Sequence, residues 1–249
     1  RFVGYGVHGF KQDDVYQITG SDPADHHAYA ALLAENYDTA TKLVPDFVIN
    51  TCNCGVAQNL FDFPGENQLI TSDPVGPKQF RLRAKYLHAL NVNDAAILGD
   101  HIELTQGDVS PDDLLVPGFY DRLDYASIVP LGMVLETKFR EDPGETFRLW
   151  LGIYRQYRFY ELEWVNIPWY GGMETYLMRD VDKLYFSFFS DHIEDRVRLS
   201  HLDAGRAYTI TDIVSGESLG SFASDDDSWD LDLVVDGSRV IEVRPAEAD

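Results

Sequence analysis

A chain of 249 residues with 45% hydrophobic and 13% aromatic side chains can fill one large core, or a mid-sized core with a smaller companion, and is too apolar for a mainly disordered or low-complexity protein. Forty-two acidic side chains against 20 basic ones give a formal charge of -22 and a pI near 4.5, which excludes nucleic acid as a partner because a polyanion needs a cationic surface. An acidic surface with six lysines suits concentrated salt, where self-repulsion is screened over a few Å, and predicts a halophilic source.

No run reaches the roughly 18 apolar residues of a membrane span, and no signal peptide opens the chain. A soluble protein without a membrane partner is expected, cytoplasmic or secreted. Cys52 and Cys54 stand one residue apart, too close for a comfortable bridge in an extended strand and too few for a structural zinc site. They read as free thiols, and neither a metal nor a cofactor is expected.

From residue 7 to about residue 164, short apolar runs alternate with helical patterns, the signature of βα units around a parallel sheet. Strands are predicted at 7–13, 47–51, 68–72, 95–99 and 128–134. Between them, helix 23–43 has Ser21 or Asp22 as its cap and carries Tyr29, Leu32, Leu33, Tyr37 and Ala40 at helical spacing; 79–90 and 145–163 behave similarly. Five strands with polar residues at their C-terminal ends predict the C-terminal portion of a (β/α)8 TIM barrel, whose active site gathers at that end. A whole barrel takes roughly 250 residues, so three βα units are expected upstream of Arg1. Without them the sheet edge and core would be open, which favours a homo-oligomer or cover by the missing N-terminal segment.

After Asn166 the pattern turns to strands of alternating polarity at 175–178, 184–189, 197–201, 207–212, 231–235 and 239–243. Asp203-Ala-Gly205, Ser215-Gly216 and Asp236-Gly237 supply turns, the last two as short hairpin connections. The predicted organisation is a partial barrel, the catalytic domain, over 1–167 and a small antiparallel β-sandwich over 168–249, divided near Pro168 and Gly171-Gly172.

The chemistry sits at the barrel strand ends. In Gly9-Phe-Lys-Gln-Asp13-Asp14, alternation puts Lys11 and Asp13 on one face. A lysine beside a carboxylate favours its ionised form, which a nucleophile requires; an internal ion pair holding the barrel together is the alternative. Asp14, one residue on, is the weaker candidate. A second carboxylate ends the run Gln68-Leu-Ile-Thr-Ser-Asp73-Pro74. Retaining glycosidases pair an ionised carboxylate with one that keeps its proton, roughly 5 to 5.5 Å apart. Desolvation at the strand end and repulsion from Asp13 would both hold the proton on Asp73. An ordinary helix cap explains Asp73 alone equally well.

Lys11-Gln12-Asp13 resembles the Lys-x-Asp nucleophile strand of the melibiase-type α-galactosidases, glycoside hydrolase family thirty-six and its clan relatives. Thr71-Ser72-Asp73 is similar to that family's Trp-Thr-Ser-Asp acid/base strand, and Cys52-Asn-Cys-Gly55 to its Cys-x-x-Gly segment. The resemblance implies an α-glycoside substrate, a covalent glycosyl-enzyme intermediate with Asp13 as nucleophile and Asp73 as proton donor, and a C-terminal β-sandwich. It also implies that Lys11 bonds sugar hydroxyls and that Cys52 and Gly55 line the pocket floor. Gly99-Asp100-His101 resembles the family's Gly-Ala-His segment with an added carboxylate near the pocket mouth, making Asp100 and His101 substrate-binding candidates. Gly55-Val-Ala-Gln58 replaces the usual Gly-Gly-Gly-Arg, and Ile70 stands where the family has tryptophan. The reaction class is thus better defined than the sugar.

Two rivals come from other classes. Asp13, Asp14, Asp100 and His101 could ligate the metal of a barrel-type hydrolase, although such sites generally use more imidazoles. The chain alone could also be a non-catalytic sugar-binding fragment. His26 and His27 read as a solvated pair, Asp225-Asp-Asp227 as a solvated acidic turn, and Trp150, Tyr154 and Tyr157 as helix residues packed on the barrel. Trp169 and Tyr170 read as interface packing before sugar stacking.

Overall fold

The computed structural model describes residues 8–12, 23–52, 68–70, 74–91, 95–107, 109–138, 143–169 and 173–246. The chain forms two compact units, one of residues 1–116 with 133–140 and the other of residues 117–132 with 141–249.

In the first unit, β1 (Gly9–Gln12), β2 (Val48–Cys52), β3 (Gln68–Ile70), β4 (Ala96–His101) and β5 (Met133–Glu136) make one sheet in the order β1-β2-β3-β4-β5, every pair parallel. Helices α1 (Pro23–Thr41) and α2 (Pro77–Leu90) lie between β1 and β2 and between β3 and β4 in sequence. Parallel neighbours cannot be joined by tight turns, so helical crossovers are required. An order that never reverses is that of a singly wound barrel sheet; a doubly wound open sheet changes direction at its switch point. Phe47, Ile49 and Ala40 form one buried cluster, and Phe80, Ala84, Ile97 and Met133 are also buried. The fifth strand is shorter than its apolar run: 128–134 was the predicted strand, but Val129–Leu131 is a 3-10 turn and Gly132 adopts φ 71. Pro130 offers no N–H to a ladder, so pairing begins only at Met133.

In the second unit, helix α3 (Gly144–Tyr157) accompanies a six-stranded antiparallel sheet of β6 (Glu163–Val165), β7 (Glu174–Asp180), β8 (Lys183–Ser200), β9 (Ala207–Asp212), β10 (Ser218–Ala223) and β11 (Ser228–Pro245), in the order β10-β9-β11-β8-β7-β6. The helix expected through 163 stops at Tyr157, because Arg158 turns to φ 47 while its N–H still bonds the Tyr154 carbonyl. That left-handed residue frees Phe159 to pack edge-on against Tyr185, centroids 5.1 Å apart. Trp150 stacks on Tyr125 at 6.3 Å, and Tyr157 meets Tyr185 edge-on.

The stretches 184–189 and 197–201 prove to be one strand, as do 231–235 and 239–243. Asp236-Gly237 is consequently not a hairpin turn. Val235 pairs with Ile193 but Gly237 with Ser190, so β8 carries one extra residue in a β-bulge, Asp191 and His192 standing against Asp236, beside Gly237, whose φ is 76. An extra residue reverses side-chain parity on the strand that holds it. Accordingly β8 turns Leu184, Phe186 and Phe188 into the core before the bulge and Val197 and Leu199 after it, whereas β11 uses Leu233, Val235, Ile241 and Val243 throughout. One face thus stays apolar along both 18-residue strands. Apart from strand residues, the same cluster holds Ile167, Met173 and Leu202. The described residues of this unit form one six-stranded sheet, with this apolar face as its core. On the opposite face Arg196 and Arg198 pair directly across with Asp232 and Asp230 at 3.1 and 3.0 Å.

Candidate active site

The parallel register puts the carboxyl ends of all five strands along one edge. Lys11 is level with Asn50, Asn50 with Gln68 and Gln68 with Ala96; one row further on, Cys52, Ile70, Leu98 and Val134 are level. In sequence Asp13 follows β1 directly and Asp73 comes three residues after β3. Asp13, Asp14, Gly55 and Asp73 lie outside the described residues, as do the side chains of Lys11 and Cys52.

Asn50 is buried beside Lys11 in register; its Nδ2 donates to Gln68 Oε1 at 3.2 Å. Its Oδ1 accepts no hydrogen bond among the described residues. Sequence reasoning missed this residue, although an amide inside Phe47-Val-Ile-Asn50 is a visible signal, since buried amides need partners.

The ends of β4 and β5 are the best defined part of the edge. Leu98 pairs with Val134 but His101 with Glu136, three steps against two, so β4 bulges at Gly99-Asp100. Such bulges re-aim side chains at strand ends. Asp100 sits at φ 69, a conformation aspartate tolerates better than most residues, and its Oδ1 accepts the His101 N–H at 2.8 Å. Asp100 is 3% exposed. The imidazole stands between two carboxylates, its Nε2 3.6 Å from Asp100 Oδ1 and its Nδ1 3.5 Å from Glu136 Oε1. Asp100, His101 and Glu136 each offer one ligand atom within 4.8 Å of the others. Behind them the buried Glu103 accepts from Thr137 Oγ1 at 2.9 Å and from the Lys138 N–H at 2.7 Å, tying the segment after β4 to that after β5.

The structure thus brings Asp100 and His101 together and adds Glu136 and Glu103, which sequence reasoning did not single out. Nothing in the local pattern marks Glu136, because its place beside His101 depends on the bulge. An edge of this kind can hydrogen-bond a polyol or hold a cation. Elsewhere, Asp226 accepts the amide and hydroxyl of Ser228, the bonding of an ordinary acidic turn. Trp169 meets Tyr176 edge-on at 6.2 Å.

A singly wound parallel sheet with amide, acidic and imidazole groups on its carboxyl edge is the arrangement of barrel-type α/β domains. Comparison with known proteins leads to the same class. The chain is 25% identical over 232 residues to an A type blood α-D-galactosamine galactosaminidase of Flavonifractor plautii, a match that takes in 85% of this chain and 20% of that protein. This chain therefore spans about one fifth of the length of its curated relative. Among solved structures it is similar to α-galactosidase I of Mortierella vinacea, with a TM-score of 0.63 and 13% identity over 97% of this chain and 69% of that one. It is also similar to a β-L-arabinopyranosidase of glycoside hydrolase family twenty-seven from Geobacillus stearothermophilus, with a TM-score of 0.65 and 12% identity over 99% of this chain and 60% of that one. No protein-family model matches. The fold is that of α-galactosidase-like proteins, in which a catalytic barrel is joined to a β domain.

Proposed function

We propose that the chain is part of a retaining α-glycosidase of the α-galactosidase and galactosaminidase kind, with residues 1–167 contributing to its barrel and 168–249 to its β domain. The observation that carries this reading is the alignment with a galactosaminidase over 85% of the chain. Three motifs support it: in sequence, Lys11-Gln12-Asp13, Cys52-Asn-Cys-Gly55 and Thr71-Ser72-Asp73 end or directly follow β1, β2 and β3, three consecutive parallel strands.

In the proposed mechanism the Asp13 carboxylate attacks the anomeric carbon while Asp73 gives its proton to the departing glycosidic oxygen. The resulting ester is hydrolysed by water whose proton Asp73, now ionised, removes. Lys11, Cys52 and Gly55 are assigned to the sugar bound by those carboxylates, and Asp100 and His101 to the rim. Replacing Asp13 with glycine in the full-length protein abolishes turnover, and azide or formate restores it by occupying the vacated carboxylate position; wild-type rates would remove Asp13 from the mechanism. Asp73→Ala slows substrates with poor leaving groups far more than activated aryl glycosides, measured as kcat/KM on both classes.

A metal-dependent hydrolase is the second reading, favoured by one observation, the Asp100, His101 and Glu136 cluster. The two differ in their response to a chelator: EDTA leaves the two-carboxylate reaction intact and abolishes the metal-assisted one.

A further inference from the structure

The second unit holds a cavity of about 370 Å³ that the proposed reaction does not use. Its wall is drawn from the last turn of α3, from both sides of the β7–β8 turn and from β11. Such a volume lies within the roughly 300 to 1,000 Å³ of small-molecule sites.

The lining is charged yet balanced. Asp180 and Glu242 supply two carboxylates, Lys183 and Arg244 two cations. Balanced signs give no net attraction to an ion of either charge. They do present acceptors and donors side by side, which suits a neutral ligand whose groups both donate and accept. Glu242 is 9% exposed, and burial together with the Glu242 charge holds the Tyr185 phenol protonated. A carboxylate acceptor and a phenol donor therefore line the cavity together. Burial first, then the same carboxylate, raises the Tyr157 phenol as well. The Tyr157 ring is held edge-on to Tyr185 at 5.7 Å and stacked on Phe159 at 5.6 Å, so its orientation is fixed, while the residue remains half-buried at the cavity wall. A fixed aromatic ring beside paired charged hydrogen-bonding groups is the chemistry that recognises a sugar, with C–H groups against the ring and hydroxyls to the charges.

We propose that this cavity is a saccharide-binding site, separate from the barrel edge and bound by neutral sugar rings. The cavity and its lining stand apart from Asp13 and Asp73, and only the choice of a turnover-free background in the test rests on the proposed function.

Saturation-transfer NMR on the full-length protein in an Asp13→Asn background, with the methyl α-glycosides of galactose, glucose and N-acetylgalactosamine as probes, measures binding without turnover. At least one probe is expected to bind in the millimolar range or tighter, and Tyr157→Ala weakens it about tenfold or more. Since Tyr157 also packs on Phe159, Lys183→Met serves as the second variant: it keeps the aliphatic stem, leaves the fold intact by circular dichroism and weakens the same binding several-fold. Binding unchanged in both variants, no binding by any probe, or displacement of the sugar by sulfate at matched ionic strength would each overturn the proposal.

Discussion

A Cβ at Gly99 would stand 3.0 Å from Cδ1 of Phe80 and 3.1 Å from Sδ of Met133, two side chains that are fully buried. Neither can retreat without opening a void or straining a rotamer, so Gly99→Ala is expected to cost roughly 1 to 3 kcal/mol, the usual range for overpacking. Gly152 in α3 is the control: nothing lies within 4 Å of a Cβ there, and Gly152→Ala should be neutral or stabilise by up to ~1 kcal/mol through helix propensity. Urea unfolding of the two variants, read as midpoint shifts at constant slope, checks both signs. Gly99 also begins the bulge that sets Asp100 and His101, so its variant should weaken substrate binding as well. At this scale the sequence was informative where residue type alone carries meaning. Gly99-Asp100-His101 stood out through its resemblance to the Gly-Ala-His segment of the melibiase-type α-galactosidases. Glu136 and Glu103 did not, because their parts depend on which residue of β5 faces which residue of β4, and the extra step in β4 decides that.

The bulge in β8 makes the same point for elements. Asp-Gly between two apolar runs is among the strongest hairpin signals, and at 236–237 it is misleading. A two-residue hairpin turn takes positive φ, and Gly237 beside the bulge has it too, at 76; local chemistry therefore does not separate a chain reversal from a single displaced residue. Pairing separates them, since 228–235 continues along β8 through the bulge with Val235 on Ile193 and Ser238 on Phe189. Hydrophobic parity held a second clue, in the apolar set of β8 that shifts from even to odd numbers between 188 and 197. The parallel strands were more legible because each is a short apolar run closed by polar residues, while the fifth was overextended by an apolar stretch that Pro130 diverts. Replacing Gly237 with valine puts a β-branched side chain at left-handed φ and is expected to cost about 1 to 2 kcal/mol. Gly237→Asn should cost less, as asparagine enters that region more readily. Thermal unfolding of the pair would show valine below asparagine and asparagine below wild type; equal midpoints would mean that the strand relaxes without needing the positive φ.

For the molecule as a whole, charge is the dominant long-range term. Even with every basic side chain matched to an acid, the formal charge of -22 leaves a surplus of carboxylates repelling one another. Pairs such as Arg179 with Glu163 at 2.7 Å and Arg198 with Asp230 at 3.0 Å are exposed and each is worth at most about 1 kcal/mol, less in salt. Salt acts on both, but unequally. Contact pairs lie well inside the screening length of roughly 8 Å at 0.15 M, whereas repulsion among scattered carboxylates operates across and beyond it and is largely removed when that length falls to about 3 Å at 1 M. Screening should therefore relieve more repulsion than it forfeits attraction, and the thermal midpoint should climb by several degrees between 0.05 and 1 M KCl, at the scale of 2 to 4 °C per kcal/mol for a chain of this size. Potassium chloride is the appropriate salt because sulfate would also strengthen apolar burial by exclusion from the surface. A midpoint that falls over this range would mean that the arginine pairs outweigh the surplus charge, and would remove the physical basis for expecting a halophilic source. A variant with Asp225, Asp226 and Asp227 changed to asparagine tests the same account from the other side: with part of the surplus gone, its midpoint should respond less steeply to KCl than that of the parent.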